Sequence, residues 1–414
     1  MSITSHTAAP GTLASNRAPL LDVTVILMAA LGGFVIFEPS PYEFACVAFL
    51  ALLLVSQVKI RGQVSAYLTA VVILIASALV AASQASGLYD AYFYVMISAF
   101  LFLTGIALAF YVANDPPHAV KMIMIGYLVA ATYTSALAVG GYFGLIPFSE
   151  EFLRFGRAKG AFEDPNVMGP FLVPAVLYLL RPILANGIAR HLPNAALMSL
   201  MLFAILLSFS RGAWGHTIIS VGLFVMLTFV TSAALKDRLK IVVLALLSMC
   251  AALFLLSWAL TLDTVAELFQ ERAQLTQSYD TESGGRFDRY LPAMGIILYN
   301  PLGHGAGEFG RLFGEDPHNT YIKMFYAFGW FGGIAFLALV ASTLWWGFKH
   351  CFQKTPWQSL FHVFYSAFVG LMFLALIIDI DRWRHFHLLT GILWGMMAAG
   401  YAFRPRRSHI QART

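Results

Sequence analysis

The sequence predicts an all-α, polytopic integral membrane protein with about twelve transmembrane helices. Of its 414 residues, 59% are hydrophobic and 11% are charged, which is more apolar surface than a soluble domain buries in its core. The apolar residues form continuous runs, most of them close to the ~20 residues that a helix needs to cross a bilayer. The runs lack the alternation of barrel strands, so helices must satisfy the backbone within the membrane.

Twelve apolar runs are candidate spans, and most of the loops between them are short. Short loops favour a single transmembrane domain over residues 1–414. The second and the seventh runs are short for a span. In chain order the runs are Leu20 to Phe37, Phe44 to Val55, Val64 to Ala82, Ala91 to Tyr111, Ala119 to Tyr142, Val167 to Leu184, Ala195 to Phe209, Gly212 to Leu235, Ile241 to Leu262, Asn319 to Trp346, Leu360 to Ile378 and Leu388 to Phe403.

The distribution of Lys and Arg, which collect in cytoplasmic loops, predicts that both termini are cytoplasmic. In that topology the inner side carries 15 of the 26 basic residues and only 3 of the 21 acidic ones. We therefore expect the basic excess to contact inner-leaflet lipids and not nucleic acid. The first run lacks a following cleavage motif and is expected to be retained as an anchor. Cys46, Cys250 and Cys351 lie in two spans and an inner loop, so a structural disulfide is not expected.

Two predicted outer segments are longer than the other loops. The first, Ile146 to Asn166, mixes basic and acidic residues. The second, residues 263–317, is the longest interruption in the chain, and it is too rich in aromatic and aliphatic residues to be disordered. Within it, FDRYLPAMGIILYN is too short to span and contains Pro292, so we expect an amphipathic helix at the outer interface. The long segment before the tenth run is therefore predicted to be periplasmic and functional.

Similar motifs end both segments, Asp164-Pro165-Asn166 in the first and Asp316-Pro317-His318-Asn319 in the second. Asp caps the first N–H groups of a helix and Pro suits its first turn, so helix initiation explains much of both motifs. Capping does not require His318, which is therefore a candidate functional residue. Two helix N-termini that face one outer cavity would also attract an anion.

Three groups of cations lie at the predicted outer mouths of spans. Arg211, in SFSRGAWG, lies between two apolar runs, where a guanidinium is costly unless it faces a cavity or a partner, or extends to the outer headgroups. Arg286 and Arg289 are three residues apart and would share one face of a helix, where they could contact a substrate, solvent or lipid headgroups. Lys323 lies one turn into a span and is expected to add to this positive charge.

Other chemical signatures are not favoured. GAGEFG at Gly305 to Gly310 fits a dinucleotide pattern, but no strand precedes it. His304, His318 and the HFH at His385 to His387 lack the spacing of metal ligands. The sequence has no nucleophile elbow or Walker loop, and no acidic pair typical of glycosidases. We expect no metal and no cofactor.

Four pieces of the sequence, GRAKGAFEDPNVMGPFL, SFSRGAWG, GGRFDRYLPAMGIILYNPLGHGAG and DPHNTYIKMFYAFGWFGG, resemble the O-antigen ligase and polysaccharide polymerase superfamily of bacterial inner-membrane proteins. They occur in the order of the family and cover about Gly156 to Gly333. The first five runs and the last two match only in hydropathy.

The resemblance implies a glycosyltransferase that moves a glycan from an undecaprenyl diphosphate carrier to a hydroxyl acceptor on the periplasmic side. It implies diphosphate contacts from Arg211 and Arg286, with Arg289 as a second candidate. It implies that His318 acts on the acceptor hydroxyl, as a base or an orienting group, and that transfer inverts the sugar without a metal. Weaker candidates for substrate contacts are Arg157, Lys159, Asp164, Asn166, Asn319 and Lys323.

Several functions remain open at this level. We favour ligation to lipid A core because one long outer loop precedes the His-Asn helix, but a polymerase would use the same donor with a second carrier-linked glycan. A protein O-glycosyltransferase has no support from an extra C-terminal region. The competing class is a transporter such as a lipid-linked sugar flippase, which would place ionisable groups near the midplane in repeated halves.

Overall fold

The computed structural model describes residues 19–37, 39–56, 58–59, 61–244 and 287–403, with the isolated positions 257, 260, 261, 266 and 269. Its helices are joined mostly by short turns. They are α1 (Pro19–Leu31), α2 (Pro41–Val55), α3 (Ser65–Ala82), α4 (Leu88–Asn114), α5 (Pro116–Tyr142), α6 (Pro165–Asn186), α7 (Leu192–Leu207), α8 (Arg211–Thr231), α9 (Tyr290–Tyr299), α10 (Glu308–Phe313), α11 (Thr320–Cys351), α12 (Gln358–Leu374) and α13 (Arg384–Ala402). One hairpin pairs β1 (Leu153–Arg154) with β2 (Arg157–Ala158).

Six helices in the described part of the chain are long and apolar enough to cross a membrane: α3 with the turn before it, α4, α5, α6, α8 and α11. This confirms an all-α, multi-pass membrane protein, whereas the number of twelve spans stays a prediction. The ninth predicted run, Ile241 to Leu262, lies largely outside the described residues. Its first four residues, 241–244, are described and are helical. Both termini, predicted to be cytoplasmic, also lie outside them.

Contacts between helix ends define two ends of the bundle. At one end, the start of α11 meets the residues after α12 through Thr320 N–H and Ala375 O (2.9 Å). At the same end, Arg384 at the start of α13 donates to Phe34 O after α1 (3.0 Å). We call this the site end; α6, α8, α11 and α13 all begin there. At the opposite end, Lys240 donates to Ala185 O at the end of α6 (2.6 Å).

The predicted interfacial helix is present as α9, which follows a short 3₁₀ turn at Phe287–Arg289. Ala293 on α9 is buried in a small apolar cluster with Phe309 and Tyr326. Leu291, Met294 and Leu298 follow helical spacing and remain exposed. An interfacial helix would place such side chains in lipid, so this location stays a prediction that the exposed apolar face supports.

The long helix α11 is broken at Gly329, whose φ of 73° and ψ of −175° are not helical. The loop that follows α9 occupies the break. Trp330 N–H donates to Pro301 O (2.9 Å), and Tyr326 O accepts from His304 N–H (2.9 Å). Because an unpaired backbone group in an apolar environment costs several kcal/mol, the break depends on this loop.

Ser77 on α3 completes the pairing at the break. Its hydroxyl donates to Phe328 O (2.6 Å) and accepts from Gly332 N–H (3.1 Å). The loop backbone lies so close that a Cβ on Gly303 would come within 2.4 Å of Gly329 N. Gly303 and Gly305 therefore serve close packing, which gives Gly305 a structural role outside any dinucleotide motif.

We predict that Gly329→Ala destabilises the protein strongly. The new Cβ would lie 2.5 Å from Pro301 O, at a backbone angle that disfavours alanine, and we expect a loss of roughly 2 kcal/mol or more. The matched control is Gly215→Ala in α8, where a Cβ would meet no atom within 4 Å. Melting temperatures in detergent should separate the two variants, and equal values would contradict the closed break.

Candidate functional site

Three helix N-termini with side-chain caps converge at the site end. Asp164 caps α6, Ser210 caps α8 and Asn319 caps α11. A Cβ on Gly169 of α6 would lie 2.5 Å from the Ala213 side chain of α8, so these two helices start in direct contact. Helix N-termini carry partial positive charge and free N–H donors, so their convergence favours an anion.

Arg211 is the first residue of α8. The turn before it is tight, because Phe209 has a φ of 46° and Ser210 accepts from Ala213 N–H (3.3 Å). The next residue, Gly212, lies against the end of α12, where an added Cβ would be 2.6 Å from the Leu374 side chain. An anion at this position would interact with both the Arg211 guanidinium and the helix dipole.

The structure brings two weaker candidates next to the turn that precedes Arg211. Arg157, on β2, donates through Nε to Ser208 O (2.8 Å) and through Nη2 to Asn166 Oδ1 (2.8 Å). The outer segment before α6 is thus attached to the start of α8. Lys159, two residues after Arg157, is half-buried, and its backbone N–H closes the hairpin.

Asp164 caps α6 as predicted. Its Oδ1 accepts from Asn166 N–H (2.7 Å), and Pro165 occupies the first turn. Its other oxygen pairs with Arg154 (3.2 Å). Asp164 therefore has a structural role that its position alone explains.

The prediction that Asp316 and Pro317 initiate the next helix is wrong. Asn319 is the cap, and its Oδ1 accepts from Ile322 N–H (3.1 Å). His318 has a φ of 48°, which turns the chain just before the cap and leaves the Asp-Pro pair outside the helix. The Asp316 carboxylate instead pairs with Lys323 (3.3 Å).

The start of α11 is fastened to the connection after α12. Besides the bond to Ala375, the Thr320 hydroxyl donates to Ile378 O (2.9 Å) and accepts from Ile380 N–H (2.9 Å). Gly212, beside Arg211, lies against the same connection. Residues 374–378 therefore separate and position the helix starts that carry Arg211 and His318.

The turn before α9 and the first residue of α9 contact the segment around His318. Arg289 pairs with Glu315 (3.3 Å), and the Tyr290 hydroxyl lies 3.5 Å from His318 O. Arg286 lies outside the described residues. Three separate parts of the predicted site, around Arg211, Arg289 and His318, thus meet at one end of the bundle.

The prediction that Lys323 adds to the outer positive charge is wrong. Its side chain is buried and lies near three carboxylates: Asp316 at 3.3 Å, Asp379 at 3.4 Å and Asp381 at 3.6 Å. Its ammonium also lies 5.1 Å from the centre of the Tyr94 ring. These carboxylates offset its charge, because a buried ammonium is stable only when it is paired.

Sequence reasoning missed the two acids after α12. The available signal was DIDR, two acids at the mouth of an otherwise apolar run. The Tyr94 hydroxyl donates to Asp381, and Arg382 stacks on the Tyr94 ring at 4.2 Å. Burial raises the pKa of Asp379 to about 6, against the attraction of Lys323. Burial also acts on Asp381, but the Lys323 ammonium and the Tyr94 hydroxyl outweigh it and lower its pKa.

We predict opposite effects on stability when either acid is neutralised. The pKa of Asp379 is about 6 in the folded protein, compared with about 3.9 for an aspartate in the unfolded chain. Between these two pH values the folded state binds more protons than the unfolded state. The stability of the folded protein therefore rises as the pH falls through this range. Asp379→Asn should therefore raise the melting temperature at pH 7.5, with a smaller gain at pH 5. Asp381→Asn should lower it at pH 7.5, since it removes a carboxylate that Lys323 stabilises.

Thermal unfolding in detergent across pH 5 to 8 measures both effects. A destabilised Asp379→Asn protein at pH 7.5, with an unchanged pH dependence, would contradict the assignment of the two acids. Neither substitution touches Arg211 or His318, so the measurement reports on the Lys323 cluster alone.

Comparisons with known proteins bear on the same residues. Residues 196–337 match the family model described as O-Antigen ligase. A search of curated proteins gave no match. The matched region includes the start of α8 with Arg211, the α9 segment with Arg289, and the turn of His318 with the start of α11. Residues 196–337 are therefore similar to the O-antigen ligase family, which agrees with the resemblance of the three motifs that lie in this region.

Proposed function

We propose that this protein transfers a glycan from an undecaprenyl diphosphate carrier to a hydroxyl of lipid A core, at the periplasmic face of the inner membrane. The observation that carries the proposal is the packing of two helix starts, those of Arg211 and His318, against one connection at residues 374–378. Both lie in the region that matches the O-antigen ligase family.

In the proposed donor site, the diphosphate lies at the N-terminus of α8. Arg211 offers two parallel donors to phosphate oxygens and stays charged at any working pH. Arg286 and Arg289 contribute from the segment before α9. Arg157, which is itself bonded to Asn166, supports the turn before α8. Weaker candidates for contacts with the substrates are Arg157, Lys159, Asp164, Asn166 and Asn319. Charge stabilisation of the leaving diphosphate is the main demand of this chemistry.

In the proposed reaction, the acceptor oxygen attacks the anomeric carbon while the bond from that carbon to the diphosphate oxygen breaks. The diphosphate leaves as an anion. The proton of the acceptor hydroxyl passes to His318 as the base, or to the leaving diphosphate while His318 orients the hydroxyl. A single displacement inverts the anomeric centre. The donor already has a good leaving group, so no covalent enzyme intermediate and no metal is invoked.

The break in α11 bears on the transporter alternative, because transporters bind ligands at interrupted helices. Here the freed backbone groups near Gly329 pair with Pro301, His304 and Ser77 of the same chain. The break is thus filled by protein. The charged residues of the candidate site lie instead at helix starts, which favours an enzyme.

We predict that the site end faces the periplasm, because the basic residues of the inner loops would otherwise violate the charge rule. In a background without native cysteines, Glu151→Cys should react with an impermeant maleimide in cells whose inner membrane is intact. Lys236→Cys, exposed at the opposite end, should react only after permeabilisation. The reverse pattern would overturn the orientation.

We predict that Arg211→Ala lowers transfer by roughly 10- to 100-fold, as expected for a lost charge-assisted contact. Arg211→Lys should recover only part of the activity, since a point charge does not replace the planar fork. Arg311→Lys is the matched control, because Arg311 lies at the same end but pairs with Asp90 and Glu308. Full activity of Arg211→Ala at normal expression would remove Arg211 from the mechanism.

We predict that His318→Asn loses transfer by about 10² to 10⁴, the usual loss for a general base, and retains carrier binding and melting temperature. Asparagine tolerates the left-handed backbone at this position better than alanine, so His318→Ala serves as the comparison for strain. Parallel assays of carrier binding and glycan transfer distinguish a catalytic role of His318 from a structural one.

The same assay distinguishes ligation from polymerisation. The unmodified protein should transfer the glycan to lipid A core and not to a second carrier-linked glycan.

Transfer by His318→Asn at the unmodified rate would exclude His318 as the catalytic residue. Loss of carrier binding together with stability would instead assign it a structural role.

A further inference from the structure

The connection between α5 and α6 exposes large apolar side chains at the site end. Leu145 is 74% exposed, Phe148 82% and Phe155 81%. They lie outside the helices, on a segment that is otherwise rich in charged residues. Large exposed apolar side chains close together in sequence indicate an interaction surface.

Folding alone does not favour phenylalanine at two of these positions. Phe155 and Gly156 form the two-residue turn between β1 and β2, with φ values of 51° and 69°. Two positive φ angles are typical of a type I′ turn, whose first position prefers Asn, Asp or Gly. Phe148 also has a positive φ, of 56°. A bulky aromatic residue at such a position costs conformational free energy, and an external contact would offset this cost.

The base of the hairpin is firmly held, so its exposed side chains have a defined position. Arg154, beside the turn, pairs with Asp164 (3.2 Å). Ala161, after the hairpin, donates to the Thr134 hydroxyl of α5 (3.0 Å) and accepts from Val35 N–H (2.8 Å). The hairpin is thus attached to α5, to α6 and to the residues after α1.

The exposed surface continues the apolar face of two helices. Phe143, at the end of α5, is 39% exposed and stacks on Phe203 of α7 with the ring centres 6.0 Å apart. Leu202 of α7 is also exposed. In a protein whose helices cross a membrane, such a surface meets lipid, and it extends through Leu145 towards the hairpin.

A positive charge lies next to Phe155, as expected for a residue at the level of the lipid headgroups. The Arg154 guanidinium lies 5.6 Å from the centre of the Phe155 ring and is half-exposed. Aromatic rings at the boundary between headgroups and acyl chains, with a cation nearby, are a common membrane anchor. A lipid surface therefore fits both the apolar rings and the adjacent cation.

We propose that Phe148 and Phe155 insert into the headgroup region of the membrane leaflet at the site end. The occupant of this surface is the bilayer itself. The hairpin then links the membrane to the site, because Arg157 on β2 holds Ser208 O, three residues before Arg211. This proposal does not depend on glycan transfer.

Spin-label accessibility in liposomes tests the proposal directly. Nitroxides are attached to Phe155→Cys and Phe148→Cys in the full-length protein without its native cysteines, in vesicles of phosphatidylethanolamine and phosphatidylglycerol. Both labels should be relaxed more by oxygen than by a water-soluble nickel chelate, as at the lipid-facing control Leu202→Cys. Accessibility like that of Glu151→Cys, an exposed residue of the same segment, would overturn the proposal.

A second variant separates lipid contact from folding. Phe155→Asn places the favoured Asn-Gly pair in the turn, so its melting temperature in detergent should equal or exceed that of the unmodified protein. A lower melting temperature would show that Phe155 supports folding within the protein and would remove the argument from strain. In liposomes, a nitroxide at Phe148 of this variant should move towards water, and an unchanged label would oppose a shared insertion of the two rings.

Discussion

The buried ammonium of Lys323 is the interaction on which the arrangement of the site depends. It lies within 3.6 Å of three carboxylates from two segments, the residues before α11 and the connection after α12. Tyr94 adds α4 through its hydroxyl bond to Asp381. Lys323 is five residues beyond His318, and its pairing with Asp316, two residues before His318, supports the turn that carries the histidine. Removal of the Lys323 ammonium would leave buried carboxylates unpaired, which commonly costs several kcal/mol, so the ammonium holds the two segments together.

Local sequence signals predicted the local structure well. In the part of the chain that the structure describes, the apolar runs predicted the bounds of the helices to within about six residues, because length and hydropathy determine which segments can cross a membrane. Asp164-Pro165 predicted the start of α6 correctly, since a cap needs only neighbouring residues. The same motif failed at Asp316, where Lys323 attracts the carboxylate and Asn319 supplies the cap.

The contacts between residues far apart in the chain were not predicted from the sequence. Asp379 is 56 residues from Lys323, and nothing in the spacing of either relates them. Arg157 was a weak candidate because its partner Ser208 lies 51 residues away. The break at Gly329 was also not predicted. The backbone groups near it form hydrogen bonds with Pro301 and with Ser77, which lies more than 250 residues earlier. Predicting these contacts requires the tertiary fold.

Backbone strain is concentrated at the same end of the molecule. In the described part of the chain, the non-glycine residues with positive φ are Phe148, Phe155, Phe209 and His318. Two of these stand immediately before the caps Ser210 and Asn319, so α8 and α11 begin in the same way, with a left-handed residue, a polar cap and the first helical turn. Such residues persist only where the surroundings determine them. The Lys323 cluster holds the His318 turn, and Arg157 holds the turn before Arg211 by its bond to Ser208 O. The strained turns and their supports together position two helix N-termini, and the charge that these termini present is what an anionic leaving group would need.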